Sequence, residues 1–412
     1  MASLYGLRSL LVYEEPAGQF AVDHSGTPGD FLPVAFQPGT LTADLQRPSL
    51  ATNIAQQYKH AKSERVHGPR AVSLGFSMPL HGSGLSGNAS VANADEDTNA
   101  LMRILKAVFG GIRGGNMGST VAAAPTSGSI FSVASGHGTR FTAGGAMGWT
   151  NAAGNLEIRP IESVTTDAIV LKYGFSATPA EDDPLYNATT IYLDDSGTHL
   201  QFIARGAAPT DRWSLRGLQL ASLAINNPLG ELPTLAFTFQ GAEWENLLSG
   251  SLAAVTYSNT RPIGFNGGKL MVQPVGTATA ADVPAPEVTV TPSLTYIAER
   301  GPGGTNTVFG YTQAHSEEGV VAGSFRTYYT DQGWFDAAAN STRQAFALQI
   351  GQINARGCLI EVPNIQIGSV QGPQDLNQFS GLLVPWDGSI DIDATDQSTA
   401  ERRSAFRIHM VG

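Results

Sequence analysis

The sequence has one cysteine, Cys358, in 412 residues. A single thiol excludes an internal disulfide framework and a cysteine-based zinc site, so a reducing cytosol is a permissible place of synthesis. Charge is scarce as well, at 14% of residues, against about 25% in an ordinary soluble domain. So few charges leave a surface of Ser, Thr, Asn, Gln and Gly, or a surface hidden in subunit contacts, whose cores are depleted of charge. No apolar run approaches the roughly 20 residues that cross a bilayer, and no membrane insertion is expected. The first residues carry Arg8 inside their apolar stretch and lack a basic start and a small-residue cleavage site, so no signal peptide is read. The net charge of −11 argues against tight binding to phosphates, which takes clustered Lys and Arg.

Catalytic and metal-binding patterns are also missing. Gly82, Gly84 and Gly87 match G-x-G-x-x-G after a strand pattern, but no helix opens at the third glycine and no βαβ unit follows. There is no G-x-S-x-G elbow and no H-E-x-x-H. The eight histidines are dispersed, with no pair at metal-ligand spacing. The densest carboxylates are Asp387, Asp391, Asp393 and Asp396. Strand alternation would send Ile390 and Ile392 to the core and Asp391 and Asp393 outward together. That pair could hold a cation, but the order of an EF-hand loop is absent; a solvated or lumen-facing acidic row is the preferred reading. Three N-x-[ST] matches, at Asn88, Asn187 and Asn340, carry little weight without a secretory signal. No enzyme activity and no cofactor is expected.

What is present is period-two alternation. Val72, Leu74, Phe76 and Met78 share one face, and Leu235-Phe237-Phe239, Val288-Val290, Phe346-Leu348-Ile350 and Ile390-Ile392 repeat the pattern between Gly, Pro, Asn and Asp turns. Strands and turns at this density predict a mainly β protein of sandwich or barrel type. Helical spacing is clear over 98–109, where Leu101, Ile104, Leu105 and Val108 line one face, Asp95 to Thr98 supply acceptors and charge at the start, and Gly110-Gly111 stop it. A second short helix is expected over 332–339.

Composition divides the chain. Small residues and two prolines over 276–286 read as a semi-extended linker, leaving a first β domain over 1–275 and a second over 287–412. Each part offers a strand, a long polar loop, an alternating strand, a helix and further strands. Arg216-Gly217 and Arg356-Gly357 open similarly worded segments, which suggests a duplicated domain. A stretch rich in Gly, Ala, Ser and Thr over 114–154 reads as an insertion. The polar loops over 46–68, with Lys59, Lys62 and Arg65, and over 298–319, beginning near Arg300, exceed the length at which structureless loops become uncommon and read as contact arms.

In this order the chain resembles phage tail tube proteins. The resemblance rests on Arg70-Ala-Val-Ser-Leu-Gly-Phe-Ser-Met-Pro-Leu80, Ala100-Leu-Met-Arg-Ile-Leu-Lys-Ala-Val-Phe-Gly-Gly111, Trp213-Ser-Leu-Arg-Gly-Leu218 and Leu235-Ala-Phe-Thr-Phe-Gln-Gly241. It implies two β-sandwich or barrel domains with a flanking helix each, in subunits that join sheets around a ring. Rings would stack through the long loops, with Lys59, Lys62, Arg65 and Arg300 as candidates, into a tube that conducts DNA. Two domains per chain imply a trimeric ring of pseudo-sixfold symmetry rather than a hexamer. Tape-measure and terminator proteins would be partners, the virion tail the location, and Asp391 and Asp393 would face the lumen. The alternative is a carbohydrate-binding or adhesive β-sandwich of a phage fibre or bacterial surface, which calls for exposed aromatics grouped on one face.

Overall fold

In the computed structural model, the structure describes residues 2–3, 9–16, 21–25, 28–46, 49–51, 65–67, 70–82, 99–114, 118–123, 125, 127–194, 198–206, 212–228, 231–247, 262–263, 268–274, 282–283, 285, 287–300, 311–328, 333–351, 356–376, 379–390 and 399–412. The chain is mainly β, with large antiparallel sheets and few short helices.

Two sets of strands pair in the same order. In the first, Leu32–Val34 pairs with Ser9–Glu14, Ser9–Glu14 with Leu200–Arg205, and Leu200–Arg205 with the first half of Arg212–Pro228. The second half of Arg212–Pro228 pairs with Thr234–Gly241, which pairs with Ala71–Pro79, which pairs with Thr42–Gln46. In the second set the same path runs Asp282–Val283, Lys269–Pro274, Arg343–Ile350, Gly357–Ile367, Phe379–Ser389, Tyr311–Tyr328, Glu287–Arg300. Even the irregularity recurs. Register slips between Leu200 and Phe202, facing Leu218 and Leu215, and between Gln344 and Phe346, facing Ile365 and Val362. A bulge bends its strand, and here it marks where the long strand passes from one set of partners to the other. Gly217 takes φ +62° at this corner, a left-handed conformation that favours glycine.

This correspondence sets Arg216 opposite Pro363, so the sequence echo that begins at Arg216 and Arg356 is out of structural register. It also carries the second set back to Lys269–Pro274. The expected linker 276–286 contains Asp282–Val283, which pairs onto Leu270 and Met271.

Alternation builds the core. Strand Ala71–Pro79 buries every second residue, and Phe76 packs with Phe202, Phe237 and Phe239 at ring-centroid distances of 5.4–5.8 Å. Helix Ala100–Phe109 buries Leu101, Ile104, Leu105 and Val108 with most of its other residues. It starts two residues later than expected. Its cap is Asn99, whose side chain accepts from Leu101 N at 3.0 Å, and Gly110 ends it at φ +81°. Helix Gly333–Ala339 seats Trp334 edge-on against Phe325, centroids 5.1 Å apart. A further short helix spans Ala400–Arg403.

A separate unit is inserted between strands Gly110–Arg113 and Thr189–Leu193, which pair with each other. Its six-stranded sheet spans Ser119–Thr120 to Pro184–Asn187 around a core that includes Phe131, Trp149, Ile161, Leu171 and Leu185. The Gly- and Ala-rich stretch 114–154 is only its first part. The strands that follow, Leu156–Thr165 and Ala168–Leu171, carry the apolar residues of any buried strand and leave no compositional edge.

Candidate assembly surface

The two repeats join through their sheets. Ser222 pairs with Ser293, Ile225 with Val290, Asn226 with Thr289, Asn227 with Val288 and Pro228 with Glu287. The ladder is interrupted at Leu223 and Ala224, opposite Pro292, whose nitrogen has no proton to donate. Thr42–Gln46, Ala71–Pro79, Thr234–Gly241, Arg212–Pro228, Glu287–Arg300, Tyr311–Tyr328 and Phe379–Ser389 thereby form one continuous sheet.

One face of that sheet is the core. Leu74, Phe76, Leu223, Ile225, Leu235, Phe237, Val288, Val290, Phe325 and Val384 all point into it. The opposite face is polar and nearly uncharged. Pro79, Thr234, Asn226, Thr289, Ser324 and Pro385 form one row across both repeats, and Thr42, Gly75, Thr238 and Ser222 another. Among the described side chains its charges are Asp44, Glu287, Arg326 and Asp387, of which Arg326 and Glu287 pair at 3.1 Å. This broad sheet face of Ser, Thr, Ala, Asn and Gln therefore shares the low charge of the whole chain.

Lys59, Lys62, Asp391 and Asp393 lie outside the described residues. Arg65 opens strand Arg65–His67, which pairs with Ser49–Ala51, so part of the expected loop 46–68 is a hairpin. Arg300 ends strand Glu287–Arg300, and most of the expected loop 298–319 is ladder, with Ala298 opposite Ala314 and Glu299 opposite Gln313. Tyr311-Thr-Gln-Ala-His-Ser-Glu-Glu-Gly319 has no apolar alternation, the only strand signal available in sequence. Ile390, expected in the core, lies just past strand Phe379–Ser389 and is 42% exposed. Asp387 is the acidic residue of that segment that the structure places, exposed opposite Ala322.

Buried charges fasten the inserted unit to the second repeat. Glu361 is fully buried beside Arg407 at 2.9 Å, His409 at 3.2 Å and Lys172 of the insert at 3.7 Å. Burial pushes the Glu361 carboxyl up, but Arg407, His409 and Lys172 outweigh it and hold the group well below the usual carboxylate range. Burial lowers His409 despite Glu361. A neutral ring fits its contacts: Nε2–H donates to Glu361, and Nδ1 accepts from the Thr190 hydroxyl at 3.0 Å. Nearby, Arg159 donates to Glu157 at 3.0 Å and to Gln349 of the second repeat at 3.1 Å. Around these groups Leu156, Ile158 and Tyr173 of the insert cover Met271, Ala345, Ala347 and Leu359. The cluster is sealed and has the form of a clamp. In the first repeat the corner glycine is held differently: Glu15 accepts from Gly217 N at 2.7 Å and from Ala21 N at 2.8 Å, and burial raises its pKa to about 7.

Trp149 and Trp386 are buried, and Trp334 packs against the main core. Trp213 and Trp244 are half-buried neighbours at 5.7 Å, with the Arg70 guanidinium 5.2 Å over Trp244. Among the described residues no three His, Cys, Asp or Glu side chains group as metal ligands, and no helix is long and apolar enough to cross a membrane. No protein-family model matches the sequence, and no curated protein matches it.

Proposed function

We propose that this chain is the structural subunit of a phage tail tube, forming stacked rings around a channel that conducts DNA. The observation that carries the reading is the seam at Asn226 and Thr289, where two repeats of one strand order merge into a single sheet with a polar, nearly uncharged face. A subunit that joins two copies of a β unit edge to edge already contains one step of a ring. Three chains would supply six such units, so a trimeric ring of pseudo-sixfold symmetry is favoured over a hexamer. Closing the ring also satisfies strand edges that would otherwise pair without control.

The sheet face suits a channel wall. Duplex DNA binds where Lys and Arg neutralise phosphates. A wall of hydroxyls and amides, with Asp44 and Asp387 among its charges, gives phosphates nothing to grip. The net charge of −11 acts in the same sense. Hairpins at 46–68 and 287–328 are the arms proposed to stack rings, with Lys59, Lys62, Arg65 and Arg300 as candidate contacts. Tape-measure and terminator proteins are the expected tail partners, the chain acts in the virion after synthesis in the host cytoplasm, and it has no catalytic step.

Negative-stain microscopy of the purified chain tests this. Rings or tubes with a central channel are expected. A chain that stays monomeric at high concentration and retains glycans on an array would replace the reading with that of an adhesive β-sandwich.

A further inference from the structure

We infer that successive copies of this chain join head to tail through a seam that copies the internal one, with strand Gln371–Leu376 of one copy laid against strand Thr42–Gln46 of the next. This rests on the ring reading above and supplies what that reading leaves open: which edges meet, and in what register.

The argument uses the repeat alone. Inside the chain, the second half of Arg212–Pro228 has two neighbours, Thr234–Gly241 on one edge and Glu287–Arg300 of the second repeat on the other. In the second repeat the corresponding long strand continues past Ile367 into Gln371–Leu376, which pairs with Phe379–Ser389. Among the described residues Gln371–Leu376 has no strand on its other edge. The counterpart of Glu287–Arg300 in the first repeat is Thr42–Gln46. Among the described residues its outer edge meets Ala2–Ser3, at Leu45 and Asp44, and no strand lies opposite Thr42 or Leu41. One molecule therefore presents both halves of a contact whose completed form it already contains. Such a contact joins unlike surfaces, so it propagates head to tail and closes where the rotation permits.

The register follows by correspondence. Thr42 pairs with Gly75, and Gly75 with Thr238; likewise Thr289 pairs with Ser324, and Ser324 with Pro385. Gln374 pairs with Gly381 as Asn226 pairs with Thr234, and both partners stand four residues before Pro385 and Thr238 respectively. Since Asn226 faces Thr289 internally, Gln374 of one copy faces Thr42 of the next, and Asp375 faces Leu41. The row of Tyr328, Gly381 and Gln374 then continues into the row of Thr42, Gly75 and Thr238 in the next copy.

The test is a full-length chain carrying Thr42→Cys and Gln374→Cys, assembled and then oxidised, with Cys358 left in place because it is buried. Directly opposed residues of an antiparallel pair lie at about 4.5–5.5 Å between Cα atoms, within disulfide reach. A ladder of covalent dimers and higher multiples is expected, with each single variant running as monomer on the same non-reducing gel. Amide exchange on the unmodified chain gives a second reading: assembly should slow exchange over 40–42 and 374–376. Rings that form without the ladder, or with protection only elsewhere, overturn the seam and leave the ring standing. An unmodified chain that never assembles overturns the ring and the seam with it.

Discussion

Asn226 lies between Thr234 of its own repeat and Thr289 of the other, so a single residue is shared by the sheet's interior and by the line where the repeats meet. The burial of its neighbours Ile225 and Asn227 on one side, and the half-exposure of Asn226 on the other, set the two characters of the sheet.

The polar face should stop being inert once it carries cations. Thr238→Arg with Ser324→Arg places two guanidiniums on rows that cross the repeats. Fluorescence anisotropy with a duplex should show weak or no binding for the original chain. The variant should bind with an affinity that falls steeply with salt, as counterion release requires. Unchanged anisotropy at low salt would count against the wall reading.

The aromatic core should be sensitive to truncation. Phe239 is fully buried and touches the rings of Phe76, Phe202 and Phe237. Phe239→Ala should cost about 3–5 kcal/mol, the range for a buried aromatic replaced by a cavity. Urea denaturation followed by tryptophan fluorescence measures it.

Glu361→Gln removes the carboxylate that compensates Arg407 and Lys172. Breaking a buried pair from one side costs about 3–5 kcal/mol. Because the folded carboxyl is depressed, the original chain holds this stability above the ordinary carboxylate value and loses it as pH falls below that value. The variant should lose stability at neutral pH and show a smaller acid dependence, read from thermal melts at a series of pH values.

Glu15 has the opposite sign. Its folded pKa of about 7 lies above the ordinary 4.5, so its contribution is favourable below pH 4.5 and is lost as pH rises through about 7. Glu15→Gln should flatten the stability profile between those two pH values. An unchanged slope in the variant would reassign that dependence to other groups.

Excising 118–188 and closing the chain between strands Gly110–Arg113 and Thr189–Leu193, already paired antiparallel, uncovers Met271, Ala345, Ala347 and Leu359. Light scattering should report aggregation of this variant, because a contiguous apolar face seeks a partner. Replacing those positions with polar residues should restore solubility.

Much of the fold was legible without coordinates. Alternation at Val72-Leu74-Phe76-Met78 and Leu235-Phe237-Phe239 marks strands because each buries one face. Helical spacing marks 98–109 for the same reason, and the structure moves only its start and its cap, to Asn99. Legibility failed where that signal has no counterpart. Tyr311–Tyr328 begins with residues whose strand character lies in backbone pairing alone. The insert's later strands resemble any buried strand. The Arg-Gly echo matched words, whereas the true correspondence runs through a bulge that only pairing reveals.

The sequence by itself determined that this is a β protein with few charges and no recognisable catalytic motif, and only suggested two similar parts, because period, composition and spacing are properties of neighbours along the chain. The three-dimensional structure decided which edges meet, which face is polar, and that Glu361 faces Lys172 across the join to the insert. Those relationships link residues far apart in sequence through backbone hydrogen bonds and burial, and a linear pattern carries no record of which strand lies beside which.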